Sequence, residues 1–160
     1  MITQTAEYAL RIVVHLATLR GQPATIERLA SSTKIPPGYL AKVIQALNRA
    51  GVVTSQRGRN GGSLLGVAPD ALSVFAVVEA VSPIQRIRSC PLGIQSHGKS
   101  LCALHQRLDD AMAAVEKAFR DSTIADLLSE KRSSYPLCET NNFGGTGVSK
   151  PIGLTIRRKS

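Results

Sequence analysis

Leu10, Val13, Val14 and Ala17 recur at the spacing of one helical face, and Gly21 stands where such a helix closes. The pattern predicts a helix over 3–20. Glu7, Arg11 and His15 lie four apart on its polar stripe, which lets Glu7 pair with Arg11 and puts His15 on the helix surface. Thr25 is placed to cap a short second helix, "IERLASST". Two prolines follow, and prolines open helices rather than lie inside them. Beyond them Leu40, Val43, Ile44 and Leu47 form an inward stripe, with Gly38, Tyr39, Lys42, Gln45 and Arg49 facing outward and Gly51 ending the helix. A capped short helix, a tight link and a helix with a polar, basic outer face make a helix-turn-helix.

Two β-prone runs come next, in "VVTSQRGRNGGSLLGV". Asn60-Gly61 between them is a hairpin signal, because both positions of a tight turn accept positive φ. A two-stranded ribbon with Arg57 and Arg59 near its tip, directly after a helix-turn-helix, is a wing. Ser73 then caps "VFAVVEAV", and residues 82–100 carry no strong period. From there the pattern is strict. Leu101, Leu104, Leu108, Ala111, Val115 and Ala118 step alternately by three and four, with Met112 and Phe119 broadening the band. That heptad seam predicts a long helix over about 101–121, suited to a dimer contact or to packing on the first helix of its own chain. Thr123 begins a short last helix. Residues 131–160, rich in Gly, Ser, Asn and Pro, read as a flexible basic tail after a domain at 1–130.

Composition refines this mainly α picture. The aromatic share is 4%, so the core must be aliphatic. The net charge is +9, and it is uneven. Between residues 20 and 59 seven basic residues face Glu27 alone, which points to a polyanion partner, nucleic acid first. The outer face of the second motif helix suits the major groove, where Lys42 or Gln45 reaches base edges. The wing arginines suit phosphates or a narrow minor groove. The candidate DNA-binding set is Thr25, Arg28, Gly38, Tyr39, Lys42, Gln45, Arg49, Arg57, Arg59 and Asn60. "IVVHLATL" is too short and interrupted to span a bilayer, and the first residues carry no basic leader with a long apolar run. A cytoplasmic chain is expected, with Cys90, Cys102 and Cys138 reduced, metal-bound or redox-active. No Ser-His-Asp set, cofactor-cradling glycine loop or zinc spacing supports an enzyme, and "GGTG" lacks the ending of a phosphate loop.

"TAEYALRIVVHLA", "YLAKVIQALNRAGVVTSQRGRNGGSLL" and the Cys-Pro-Leu…Cys…His run of 90–105 resemble the IscR/NsrR-type transcription regulators, the Rrf-two family. The resemblance covers roughly residues 1–130. It implies a winged helix-turn-helix homodimer with crossing long helices, reading a palindromic operator in double-stranded DNA. Many members carry an iron–sulfur cluster; others respond through thiols or a protein partner. On that pattern Cys90 and Cys102 match the outer two cysteines of the cluster loop, while Ser96 stands at the middle one, beside His97. His105 matches a histidine that some members use as the last ligand, and Glu7 stands where members recruit a carboxylate from the partner subunit. The implied cofactor is a [2Fe–2S] cluster on Cys90, Cys102, His105 or His97, and Glu7 in trans; imidazole can replace thiolate in such clusters. The expected function is a redox-, nitric oxide- or iron-responsive regulator. The alternatives are a thiol/disulfide-switched regulator, a cluster-free repressor, or a module that binds and regulates a sulfur-metabolism enzyme.

Overall fold

The computed structural model describes residues 2–93 and 100–130. The Thr3 hydroxyl accepts a hydrogen bond from the Ala6 amide and starts α1 (Gln4–Thr18), which ends two residues short of the predicted 20. Arg20 and Gly21 both take left-handed conformations there, φ 50° and 85°, and turn the chain away. Every residue from Ile12 to Ala17 is buried. The helix is therefore central rather than peripheral, with α2, α3, α4, α6 and the second wing strand packed around it. That corrects the placement of His15. It is buried, only 5% exposed, because the fold covers the His15 end of that polar stripe while Glu7 and Arg11 stay partly exposed.

Thr25 caps α2 (Ile26–Thr33) by accepting from the Arg28 amide. Lys34 ends it in a left-handed conformation, φ 57°, and the link leads to Pro37, the first residue of α3 (Pro37–Arg49). Leu40, Val43, Ile44 and Leu47 are the buried residues of α3, as its period requires. The core is aliphatic: Ile12, Leu29, Leu40, Leu47, Val77 and Ile124 are all fully enclosed. Burial of this kind is worth about 1.5–3 kcal/mol per large side chain.

The wing is β1 (Val53–Gln56) paired antiparallel with β2 (Gly62–Leu65), Val53 opposite Leu65 and Gln56 opposite Gly62. The tip is not a two-residue Asn60-Gly61 turn. It is the five-residue loop 57–61, and the positive φ falls on Gly58, at 110°. Gly61 instead lies against the Gln56 carbonyl, a Cβ's width away, so its lack of a side chain serves a close approach. The residue before Thr25 adds an isolated bridge at the wing's edge: Ala24 and Ser63 exchange backbone hydrogen bonds of 2.9 and 2.8 Å. This pins the wing to the helix-turn-helix.

Ser73 caps α4 (Val74–Glu79). An arm without regular structure then runs toward Cys90, and α5 (Ala103–Arg120) begins after Cys102, which is its N-cap residue. Thr123 and Asp126 form a capping box at α6 (Ile124–Ser129). The chain before α4 pairs with the chain before α6: Val74 donates to Ser122 and Ile124 to Leu72, both at 2.9 Å. That clamp and the buried Ile124 return the far end of α5 to the core. The fold is mainly helical with a two-stranded wing. The expected tail at 131–160, with Cys138, lies outside the described residues, as does His97.

Candidate nucleic-acid interface and cysteine segment

The inward stripe of α3 leaves Gly38, Tyr39, Lys42, Gln45 and Arg49 exposed along one side. Arg57, Arg59 and Asn60 are exposed at the wing tip, and Thr25 and Arg28 at the start of α2. Asn48 donates to the Ser55 hydroxyl at 3.0 Å, which ties the last turn of α3 to the wing. Gly62 keeps the other side close: a Cβ there would sit 2.5 Å from the Ala24 carbonyl oxygen. Helix, wing and the start of α2 are thus one connected surface. Among these residues no acid neutralises the arginines and lysines, since Glu27 is the one acid from 20 to 59. The Glu27 carboxyl is held below its usual range by its own backbone amide and then by the Thr25 hydroxyl, so it stays ionised at the helix N-terminus.

Behind this surface, Arg11 joins several parts. It donates to Glu7 at 2.5 Å and to the Thr33 carbonyl at 3.3 Å. It also lies over the Tyr8 ring, 5.8 Å from its centre, and Tyr8 meets Tyr39 edge to face at 6.1 Å. Glu7, proposed from the resemblance as a ligand in trans, is therefore engaged by Arg11 within its own chain. Tyr39, at the start of α3, sits at the end of the same chain of contacts.

In the cysteine segment the structure brings two candidates together. The Cys102 sulfur and His105 Nδ1 are 3.4 Å apart across the first turn of α5. Cys90 and Cys102 are not joined by a disulfide, and both are half-buried. Among the described residues no three of His, Cys, Asp and Glu converge on a metal position. The seam of α5 is displayed rather than packed. Leu104, Leu108, Ala111, Val115 and Ala118 are all exposed, and α5 rests mainly on α4 with its other side. Its one buried residue is Asp109, which accepts two hydrogen bonds from Arg86, both 2.7 Å, and one from the Ile87 amide at 2.8 Å. Those bonds hold the Asp109 carboxyl down at about 2, the Arg86 hydrogen bond first among the causes. Arg86 also reaches Glu116 at 3.5 Å, and Glu116 pairs with Arg120, which stacks 3.6 Å over Phe75. None of Asn48, Ser55, Arg86, Asp109 and Glu116 was picked out as a contact from the sequence. The Asp109–Arg86 pair spans 23 positions, beyond any local rule.

A family model described as "Rrf2: Iron-dependent Transcriptional regulator" matches residues 2–130. The chain belongs to the Rrf2 family. An HTH-type transcriptional regulator of Aquifex aeolicus (strain VF5) is 28% identical over 141 residues, 86% of this chain and 98% of that protein. Among solved structures, CymR (YrzC), the global cysteine regulator of B. subtilis, superposes with a TM-score of 0.66 at 25% identity. It covers 79% of this chain and 95% of its own. The IscR of T. potens also gives 0.66, at 21% identity, over 80% of this chain and 85% of its own, a likeness of fold. The Rrf2 winged helix-turn-helix fold expected from the sequence is thereby established, and with it a transcriptional regulator built on a DNA-binding fold. Among the described residues no helix is long and apolar enough to cross a membrane.

Proposed function

We propose that the protein is a cytoplasmic, homodimeric regulator that binds a palindromic duplex through α3 and the wing, and whose grip is set by the 90–105 segment. The observation that carries this is the joint exposure, among the described residues, of two surfaces: the basic α3–wing face and the apolar α5 seam. Pairing two α5 seams by a two-fold axis buries the leucines and presents two recognition helices to two half-sites. Lys42, Gln45 and Arg49 read or flank bases. Arg57, Arg59 and Asn60 hold the backbone or minor groove, and Thr25, Arg28, Gly38 and Tyr39 approach phosphates.

The donor set of the cysteine segment fits a [2Fe–2S] cluster in chemistry. Cys90, Cys102 and His105, with His97 as the alternative imidazole, would supply the ligands of one subunit, and Glu7 of the partner subunit the last. Such a cluster would supply one-electron redox chemistry and a bridge between subunits. On the protein side, taking Glu7 away from Arg11 frees a guanidinium that also holds the Thr33 carbonyl and lies on Tyr8. The start of α3 then loses a support, which is how a change at the loop reaches the DNA face. A second reading follows from two observations. No three donors converge among the described residues, and Cys102 already has an imidazole beside it. These favour a cluster-free thiol pair, Cys90 and Cys102, as the responding element.

Salt titration of duplex binding tests the DNA assignment. Arg57→Ala/Arg59→Ala is expected to lower the slope of log K against log salt by about 3.5, since two subunits lose four arginines; an unchanged slope removes the wing from the interface. Iron and sulfide analysis after anaerobic purification decides between cluster and thiols. Stoichiometric iron and sulfide lost in Cys90→Ala supports the cluster, and iron-free protein that binds DNA in a thiol-dependent way supports the pair.

A further inference from the structure

Asp109 is the one side chain that the 18-residue helix α5 buries, and it is a charged one. An apolar residue of similar size is often at least as stabilising at such a position, so an ion pair there is better explained by the register it specifies than by stability. What it specifies is plain from its partners. The Arg86 guanidinium grips both carboxylate oxygens, the Ile87 amide adds a third bond, and a second branch of Arg86 reaches Glu116. Two turns of α5 thus hold one point of an otherwise irregular arm, and Cys90 follows three residues later.

We propose that the Arg86–Asp109–Glu116 clasp is a positioning element that registers Cys90 against Cys102 and His105; this rests on reading 90–105 as the responsive segment. The lengths agree. From Ile87 an extended chain reaches Cys90 in at most about 10–11 Å. From Asp109 back along α5 to Cys102 is about 10.5 Å. The clasp is the shared origin of both thiols, so it fixes how far apart they are held, whether they take a metal centre or each other. Asp109 also adjoins Leu108 of the exposed seam, which places this origin beside the surface that pairs subunits. The pair stays ionised throughout the physiological range, so the clasp is a constant reference and not a pH switch.

The test uses the two thiols as a ruler, in the full chain with Cys138→Ser. In a glutathione redox buffer, Cys90 and Cys102 pass two electrons and two protons to one glutathione disulfide, forming their own disulfide and two glutathione thiols. The equilibrium constant gives their effective concentration. Asp109→Ala, which removes the acceptor of both Arg86 and the Ile87 amide, is expected to lower it about sixfold, because the free tether to Cys90 lengthens from three residues to about ten, at the three-halves power. Arg86→Gln is expected to lower it less, since Asp109 keeps the Ile87 amide. Far-UV circular dichroism of both variants should match the parent. A change below twofold in both variants, with or without a fall in thermal stability, overturns the inference by leaving the clasp a purely structural contact. If the effective concentration falls but wild-type DNA binding ignores the state of the loop, the clasp stands and the sensor reading fails.

Discussion

Leu104 lies 64% exposed near the start of α5, on the seam with Leu108 and Val115. Truncating it to alanine removes three carbons, worth about 0.8 kcal/mol each when fully buried. Scaled by the exposed fraction that a partner would cover, Leu104→Ala weakens the dimer by about 1.5 kcal/mol per copy. Two-fold symmetry doubles this to about 3 kcal/mol, on the order of a 100-fold rise in the dimer dissociation constant. The isolated chain should lose little. Alanine is at least as good a helix former as leucine, and a side chain this exposed is not part of the core. Sedimentation equilibrium measures the dissociation constant, and thermal unfolding at low concentration reports on the chain itself. A dissociation constant within threefold of wild type removes Leu104 from the interface. A large loss of stability in the dilute chain instead shows that the seam packs within its own subunit.

Gly62→Ala drives a Cβ into the Ala24 carbonyl, so the wing must shift; about 1–3 kcal/mol of stability should be lost along with tight duplex binding, and a variant with unchanged denaturant midpoint and affinity refutes the close approach. Burial, followed by the charge of Arg28, pushes His15 below the usual histidine range. The unfolded chain therefore binds a proton that the folded chain refuses once pH drops below about 6.5, so stability falls with acidification from there. His15→Leu should flatten this slope in denaturant titrations between pH 6.5 and 5, and an equal slope in both proteins contradicts the assignment. Lys34 holds a left-handed conformation, φ 57°, that glycine adopts without strain; Lys34→Gly should stabilise by about 0.5–1 kcal/mol, and a lowered melting temperature would refute that.

The helix-turn-helix was legible because its signals are local. Thr25, the two prolines and the Leu40–Leu47 stripe act within a few residues of one another, and the structure places each in its expected role. The wing was legible as a hairpin but not in its turn. Asn60-Gly61 matches a two-residue turn locally, whereas the Gln56–Gly62 register, set by the Ala24–Ser63 bridge, leaves five residues at the tip. His15 was misplaced for a related reason. Period alone shows which residues share a side of α1, not that elements distant in sequence cover its His15 end. The Arg86–Asp109 clasp lay beyond reach because its partners are far apart along the chain and a charged residue on an otherwise exposed helix looks like solvent surface. The exposure of the α5 seam, by contrast, agrees with a strict heptad that the described residues of its own chain leave uncovered.

Two copies of the chain are proposed to meet one duplex together. Selecting bound molecules from a pool of random-sequence duplexes, with the purified full-length chain, tests this most directly. The enriched sequences should contain two inverted half-sites whose centres lie a whole number of helical turns apart, about 34–36 Å per turn. Enrichment of a lone half-site, or no enrichment over the starting pool, would contradict it.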